Sequence, residues 1–213
     1  MNTQLNERQI KRDIFAFGGS AGGLESIIAI LQLLPRGLPV TICVVLHRHP
    51  VISSHLVSVI AHASTLPVGE PAHGEPVALG RVYIAPRDFH MRIKKDRWYL
   101  DRDPKQHWSR PAIDPLFVSA AATHGNRAVG VLLSGGGSDG VEGLIAIKGN
   151  GGLSLVQKPE QARQPWMPLN ALREDDVDAA LSVEAIAALL PLLAAGSSVD
   201  VQQLLPAGPN SRA

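Results

Sequence analysis

The feature that most constrains this chain is a repeated alternation of short apolar strands and amphipathic helices. The apolar runs are four to eight residues long, which is typical of strands buried on both faces of a sheet. They lie at 14–17, 39–46, 81–86, 127–134 and 153–157. Helical patterns lie at 24–34, 53–64, 114–125, 139–152 and 183–196. Repeated βα units predict an α/β fold: a doubly wound, mostly parallel sheet with helices on both faces.

The segments "HMRIKK" and "RWYL" flank Lys95 and Asp96 and alternate with period two, which predicts an antiparallel hairpin. With 213 residues, the chain suits one α/β domain. We expect a polar N-terminal extension over 1–12, the domain over 13–196 and a flexible tail over 197–213.

Composition excludes several classes of protein. The net charge of +1 gives no general attraction to nucleic acid or to anionic membranes. The polar first residues contain no signal peptide, and no apolar run is long enough to span a bilayer. We therefore expect a cytoplasmic protein that neither binds nucleic acid nor inserts into a membrane. Cys43 is the single cysteine, so no internal disulfide or cysteine-based zinc site can form.

The turn after the first strand, "GGSAGG", places Ser20 between two glycine pairs. Glycines allow positive φ and close approach of another group to the backbone. The turn is compatible with phosphate binding at a helix N-terminus, or with a nucleophile elbow of the form G-x-S-x-G. A tight strand–helix turn capped by Ser20 is the simplest alternative.

Polar residues follow two other apolar strands. His47 comes directly after the second strand, and Asp139 lies in a glycine-rich loop after the run at 127–134. Ligands of parallel α/β sheets bind beyond the carboxyl ends of the strands. A serine nucleophile needs a base, and the base needs a partner that fixes its tautomer, so Ser20, His47 and Asp139 could form a triad. Taken singly, each residue has a structural explanation, as a helix cap or a strand-end histidine.

His49 competes with His47 for the role of base. The remaining histidines are scattered without metal-ligand spacing, and we expect no metal site.

A competing motif is G-x-G-x-x-G, formed by Gly135, Gly137 and Gly140, with Glu160 about 20 residues further on. This is the dinucleotide-binding fingerprint. However, it places Asp139 where the pyrophosphate would lie, and a carboxylate there repels phosphate. We therefore expect no nucleotide cofactor.

Five blocks in order resemble the catalytic domain of the CheB-type chemotaxis protein-glutamate methylesterases. They are "GGSAGGLES", "VVLHRHP", "GRVYIAPRDFHM" with "SRPAIDPLFVSAA", "VGVLLSGGGSDGVEGLIAIKGNGG" and "VQKPEQARQPWMP". The resemblance implies a doubly wound α/β fold with a hairpin, and no metal or cofactor. It also implies that Ser20 is the nucleophile, that His47 is its base and that Asp139 orients His47.

The reaction implied by the resemblance is hydrolysis of glutamyl methyl esters on chemoreceptor signalling helices, with deamidation of glutamines as a possible second activity. The partner would be a methylated chemoreceptor or a similar helical signalling protein. Backbone N–H groups of Ala21 and Gly136 are the candidate oxyanion donors.

The chain departs from the family pattern at three positions. Ala21 replaces a frequent Thr, Leu46 a frequent Gln, and Gly136 the Met of a Gly-Met-Gly loop. These changes leave open an esterase or amidase with another substrate, or a non-catalytic regulatory module. Many family members also carry an N-terminal receiver domain, which needs about 100 residues. Only twelve residues precede the domain that we expect over 13–196, so we expect a stand-alone catalytic domain that is open or controlled by a separate regulatory partner.

Overall fold

The computed structural model describes residues 10–48, 55–175 and 177–197. Its main sheet has seven strands, all parallel, in the order β3-β4-β2-β1-β7-β8-β9, and a separate antiparallel pair is formed by β5 and β6. The strands are β1 (Ile14–Gly19), β2 (Thr41–Leu46), β3 (Val68–Gly69), β4 (Arg81–Ile84), β5 (His90–Lys94), β6 (Arg97–Asp101), β7 (Ala128–Leu132), β8 (Leu153–Gln157) and β9 (Ala179–Leu181). The predicted parallel sheet and hairpin are confirmed.

Helices cover both faces of the sheet. They are α1 (Gly23–Leu33), α2 (Leu56–Ala63), α3 (Ile113–His124), α4 (Val141–Gly149), α5 (Trp166–Glu174) and α6 (Val183–Ala195), with short 3₁₀ turns at Gly125–Arg127 and Pro159–Gln161. Side chains alternate along β1, so that Phe15 and Phe17 pack with α1, α2 and α6. Ile14 and Ala16 pack on the other face with α3, α4, α5 and the hairpin. Burial on both faces explains why β1, and β2 after Thr41, are apolar.

Several local expectations were wrong. In the sequence, Asp114 followed by Pro115 predicts an N-cap and a proline at the first helical position of α3, but the cap is Ala112 and the helix begins at Ile113. Pro191 does not interrupt the last helix, which continues to Ala195. Helix α5 and strand β9 were not predicted. The expected cap of α2 at Ser53 or Ser54 lies outside the described residues.

The order of the central strands decides where the site lies. Strand β1 pairs with β2 on one side and β7 on the other, with Gly19 opposite Leu46 and Gly18 opposite Leu132. All three strands run in the same direction, so the segments that begin at Ser20, His47 and Leu133 leave the same edge of the sheet. The strand adjacency that a triad requires is therefore present.

Candidate active site

The turn that carries Ser20 is held closely by its neighbours. The Ser20 N–H donates to the carbonyl of Ser134 at 2.9 Å, and the Ser20 carbonyl accepts from Gly23 N–H at 2.9 Å. Gly22 has a φ of +85°, and a Cβ there would lie 2.4 Å from Ser134 Oγ. A side chain at position 22 is excluded by both backbone strain and lack of space. The glycine-rich turn thus presents a partly exposed Ser20 at a fixed position beyond β1.

His47 and Asp139 meet beyond the neighbouring strand ends. His47 Nε2 lies 2.7 Å from Asp139 Oδ2, and the two side chains are 20% and 1% exposed. The backbone also joins His47 to the serine turn, because the His47 N–H donates to the carbonyl of Gly19 at 3.1 Å. Within the described residues, no hydrogen bond joins the Ser20 hydroxyl to His47. The structure therefore pairs His47 with Asp139 and places Ser20 one residue beyond the neighbouring strand.

Asp139 is held by the first turn of α3. Its Oδ2 accepts from the N–H of Ile113 at 2.8 Å, and its Oδ1 from the N–H of Asp114 at 3.1 Å. Burial opposes ionisation of Asp139, but the hydrogen bonds from His47 and these two N–H groups outweigh it and lower its pKa. Asp139 is therefore an ionised, fixed acceptor for a histidine N–H.

A second buried carboxylate, Asp114, lies beside the first. Its Oδ1 accepts from Gly143 N–H at 2.7 Å, and its Oδ2 lies 3.1 Å from His107 Nε2. Burial raises the pKa of Asp114 to about 6, with a further contribution from the negative charge of Asp139. The local sequence predicts only that Asp114 caps its own helix, because capping of another helix leaves no signal in local sequence.

Three consecutive glycines after β7 form a loop that α5 supports. The Gly135 N–H donates to the carbonyl of Gln164 at 3.0 Å, and the Gly135 carbonyl accepts from Met167 N–H at 2.9 Å. Asn170 Nδ2 donates to the carbonyl of Gly137 at 2.9 Å. A Cβ at Gly135 would lie 3.0 Å from Ser20 Cβ. The unpredicted helix α5 therefore holds this loop against the serine turn.

The two candidate oxyanion donors are backbone N–H groups that make no hydrogen bond within the described residues. Ala21 and Gly136 are both exposed, and neither N–H donates a hydrogen bond to another residue in the described part of the chain. A Cβ at Gly136 would meet nothing within 4 Å, so that position opens onto free space.

Leu46 is one of the departures from the family pattern. Its Cδ2 would lie 3.2 Å from a Cβ at Gly19 and 3.0 Å from one at Gly23, so it packs onto the serine turn. A polar side chain is therefore replaced here by an apolar contact.

The fold also bears on cofactor binding. The N-terminus of α4, where a dinucleotide fingerprint would hold pyrophosphate, is occupied by the Asp114 carboxylate, which accepts from Gly143 N–H. Among the described residues, potential metal ligands of His107, Asp114 and Asp139 lie within 4.8 Å of one another. The oxygens of both carboxylates already accept hydrogen bonds from backbone N–H groups or contact a histidine. These contacts within the protein are sufficient to explain why the three side chains lie together.

In the part of the chain that the structure describes, no helix combines the length and the apolar character needed to cross a bilayer.

Fold and site define a parallel α/β protein with a histidine–aspartate pair beside a glycine-bounded serine. Comparison with known proteins identifies the family: residues 15–190 match the CheB methylesterase family, and the chain belongs to it. In structure it resembles the catalytic domain of the CheB methylesterase of Thermotoga maritima, with a TM-score of 0.81 and 32% identity, covering 86% of this chain and 100% of that one.

Two curated relatives show the extent of the similarity. A protein of Leptospira interrogans named "Putative protein-glutamate methylesterase/protein-glutamine glutaminase" is 34% identical over 178 residues, which is 83% of this chain and 92% of that protein. A protein of Anaeromyxobacter dehalogenans named "Protein-glutamate methylesterase/protein-glutamine glutaminase 2" is 37% identical over 179 residues, 84% of this chain and 52% of that protein. The chain thus spans nearly all of one relative and about half of the other.

Proposed function

We propose that this protein is a serine hydrolase that removes methyl groups from glutamyl methyl esters in a protein substrate. The observation that carries the proposal is the 2.7 Å contact between His47 Nε2 and Asp139 Oδ2, one strand away from the glycine-bounded Ser20. The family and the names of the relatives support the substrate class.

The orientation of His47 assigns its two nitrogens. Asp139 is ionised and can only accept, so His47 Nε2 carries the proton and donates a hydrogen bond to Asp139 Oδ2. The unprotonated nitrogen is then Nδ1, which is the atom available to remove a proton from Ser20. The carboxylate fixes this tautomer and stabilises the imidazolium that forms when the proton is taken.

The reaction proceeds by acyl transfer. Ser20 Oγ attacks the ester carbonyl while its proton passes to His47 Nδ1, and the tetrahedral intermediate collapses when that proton is given to the departing methanol. Water, deprotonated by His47, then attacks the acyl-enzyme, and glutamate leaves as Ser20 recovers its proton. With a glutamine substrate, the same steps release ammonia, which would be the deamidase activity.

The intermediate carries negative charge on the former carbonyl oxygen, which needs hydrogen-bond donors. The N–H groups of Ala21 and Gly136 support this role because both are exposed and unengaged within the described residues. Backbone donors do not depend on side-chain identity, so the departures at these two positions leave the donors intact.

The proposed partner is a methylated chemoreceptor, or a similar helical protein that presents glutamyl esters on its cytoplasmic part. The proposed location of the enzyme is therefore the cytoplasm. The alternative of a nucleotide site at the G-x-G-x-x-G motif is disfavoured, because the Asp114 carboxylate already accepts a hydrogen bond from Gly143 N–H at the start of α4.

Methanol release from a methylated receptor signalling fragment tests the proposal. The wild-type protein should release methanol, and Ser20→Ala should not, whereas Ser58→Ala, a change of an exposed serine on α2, should match the wild type. Release from simple carboxylic esters but not from the receptor fragment would point to another ester substrate. No release from either would contradict the assignment as a hydrolase.

A further inference from the structure

We propose that Asp114 is a positioning residue for Asp139, and that His107 and Asp114 form a second histidine–carboxylate pair directly behind the catalytic one. The catalytic meaning of this inference rests on the proposed function, but the geometry stands by itself. His107 Nε2 lies 3.1 Å from Asp114 Oδ2, and Asp114 is 4% exposed against 36% for His107. The four side chains thus form a chain that runs from His47 to a solvent-accessible histidine.

Asp114 controls where Asp139 lies because the two residues share a helix terminus. Asp139 accepts from the first two N–H groups of α3, one of which belongs to Asp114 itself. The Asp114 carboxylate in turn accepts from Gly143 in the first turn of α4, just after the Asp139 loop. The Asp139 loop is therefore tied to the start of α3 in both directions, and loss of the Asp114 carboxylate removes one tie.

His107 completes the pair from a different segment. It lies between β6 and α3 and contacts the Asp114 oxygen that Gly143 does not use. A glutamine at position 107 can still donate a hydrogen bond from its amide, whereas alanine cannot. If His107 positions Asp114 by a hydrogen bond, the kcat of His107→Gln should be higher than that of His107→Ala. If His107 only fills space, no such difference is expected.

The second carboxylate also acts through its charge. When Asp114 is ionised, its negative charge adds to that of Asp139 and favours the protonated form of His47. Asparagine at position 114 removes that charge and keeps an oxygen that can accept from Gly143. The proton on His47 should then be lost at a lower pH.

Other charged groups on the elements packed against Asp114 are engaged elsewhere or exposed. On β5, His90 bonds the Pro104 carbonyl and the Ala112 N–H, Arg92 pairs with Asp101, and Lys94 stacks on Tyr99. On α4, Glu142 is exposed and Lys148 pairs with Asp178, and Arg127 after α3 pairs with Asp13. Asp139 and His107 are thus the titratable groups in contact with Asp114 among the described residues.

The test follows the imidazole signals of His47 by ¹H–¹⁵N NMR as a function of pH, beside the pH dependence of kcat/KM for methanol release. In Asp114→Asn, both the pH dependence of the His47 signals and the acid limb of kcat/KM should move to lower pH, because one negative charge near the catalytic pair is removed. Asparagine keeps the oxygen that accepts from Gly143 but loses the charge that strengthens this bond, so the Asp139 loop is held less firmly and we expect kcat to fall several-fold while KM changes little. Asp96→Asn, a change of an exposed carboxylate beyond β5, should show neither shift.

Two outcomes separate this inference from the proposed function. If the wild-type protein releases no methanol, the proposed function fails, while the NMR comparison still tests the coupling between Asp114 and His47. An unchanged His47 titration in folded Asp114→Asn would overturn the inference even if activity were normal. If Asp114→Asn does not fold, His107→Ala should lower kcat several-fold and His107→Gln should restore it. Equal activity of these two variants would also overturn the inference.

Discussion

Asp114 and Asp139 cap each other's helices. Asp139, in the loop before α4, accepts from the first N–H groups of α3, and Asp114, in the first turn of α3, accepts from Gly143 in the first turn of α4. Carboxylates are favoured at helix N-termini by the orphan N–H groups and the helix dipole. This exchange explains how two buried carboxylates remain side by side and why Asp139 is held firmly enough to orient His47.

The burial of Asp114 beside the charge of Asp139 predicts a stability difference that depends on pH. The pKa of Asp114 is raised from 3.8 to about 6, so its protonated form is the one that the fold favours. Its contribution to stability is fully present below 3.8 and is lost as pH rises through about 6. Asp114→Asn removes this pH-dependent contribution to the free energy of unfolding. The free energy of unfolding of Asp114→Asn, relative to the wild type, should therefore improve between about pH 4 and pH 8.

Urea denaturation of both proteins at the two pH values measures this difference. The lowered pKa of Asp139 gives a stabilisation with the opposite pH dependence. This stabilisation is lost only when the pH falls below 3.8, the ordinary pKa of the group, so it does not change between pH 4 and pH 8. A relative stability that is the same at both pH values would contradict the raised pKa of Asp114.

Asp139→Asn should be nearly inactive. An asparagine cannot hold His47 in the tautomer with its proton on Nε2 as a carboxylate does, and a loss of about 10⁴-fold in kcat is expected for such a change. The variant should also lose about 1 kcal/mol of stability, since a charged cap of α3 is removed. Steady-state kinetics and thermal denaturation measure the two effects. Activity within a few-fold of the wild type would remove Asp139 from the site.

His47→Ala should be as inactive as Ser20→Ala, whereas His49→Ala should be much less impaired. His47 is the histidine that contacts Asp139, while His49 lies outside the described residues. Both variants are compared with the wild type in the methanol-release assay. If His49→Ala is the inactive variant and His47→Ala is active, the assignment of the base is wrong by two residues.

Gly135→Ala should lose most activity. The added Cβ would lie 2.8 Å from Met167 Sδ and 3.0 Å from Ser20 Cβ, so either the serine turn or α5 must shift. A misplacement of about 1 Å at a catalytic group can cost about 100-fold. Gly149→Ala, at the end of α4, is the control, because a Cβ there meets nothing within 4 Å. Equal activity of the two variants would show that the close packing at Gly135 does not position Ser20.

Much of this arrangement can be predicted from the sequence, because the central strands are mostly apolar and the polar residues that follow them stand out. This pattern singles out Ser20, His47 and Asp139 as candidates, and the adjacency of β2, β1 and β7 brings their segments to one edge of the sheet. Helix α5 was missed because Pro165 and Pro168 obscure its pattern, although it supports the glycine loop. The role of Asp114 was missed because it depends on the packing of α3 against α4, which no local pattern encodes.

In the proposed mechanism, Ser20 is a nucleophile activated by His47. A fluorophosphonate reagent tests it most directly, because such a reagent phosphonylates an activated serine with loss of fluoride, and mass spectrometry of peptides locates the adduct. We expect a single adduct on Ser20 in the wild type, none in Ser20→Ala and much slower labelling in His47→Ala. Labelling of Ser20→Ala at the wild-type rate, or of His47→Ala as fast as the wild type, would contradict it.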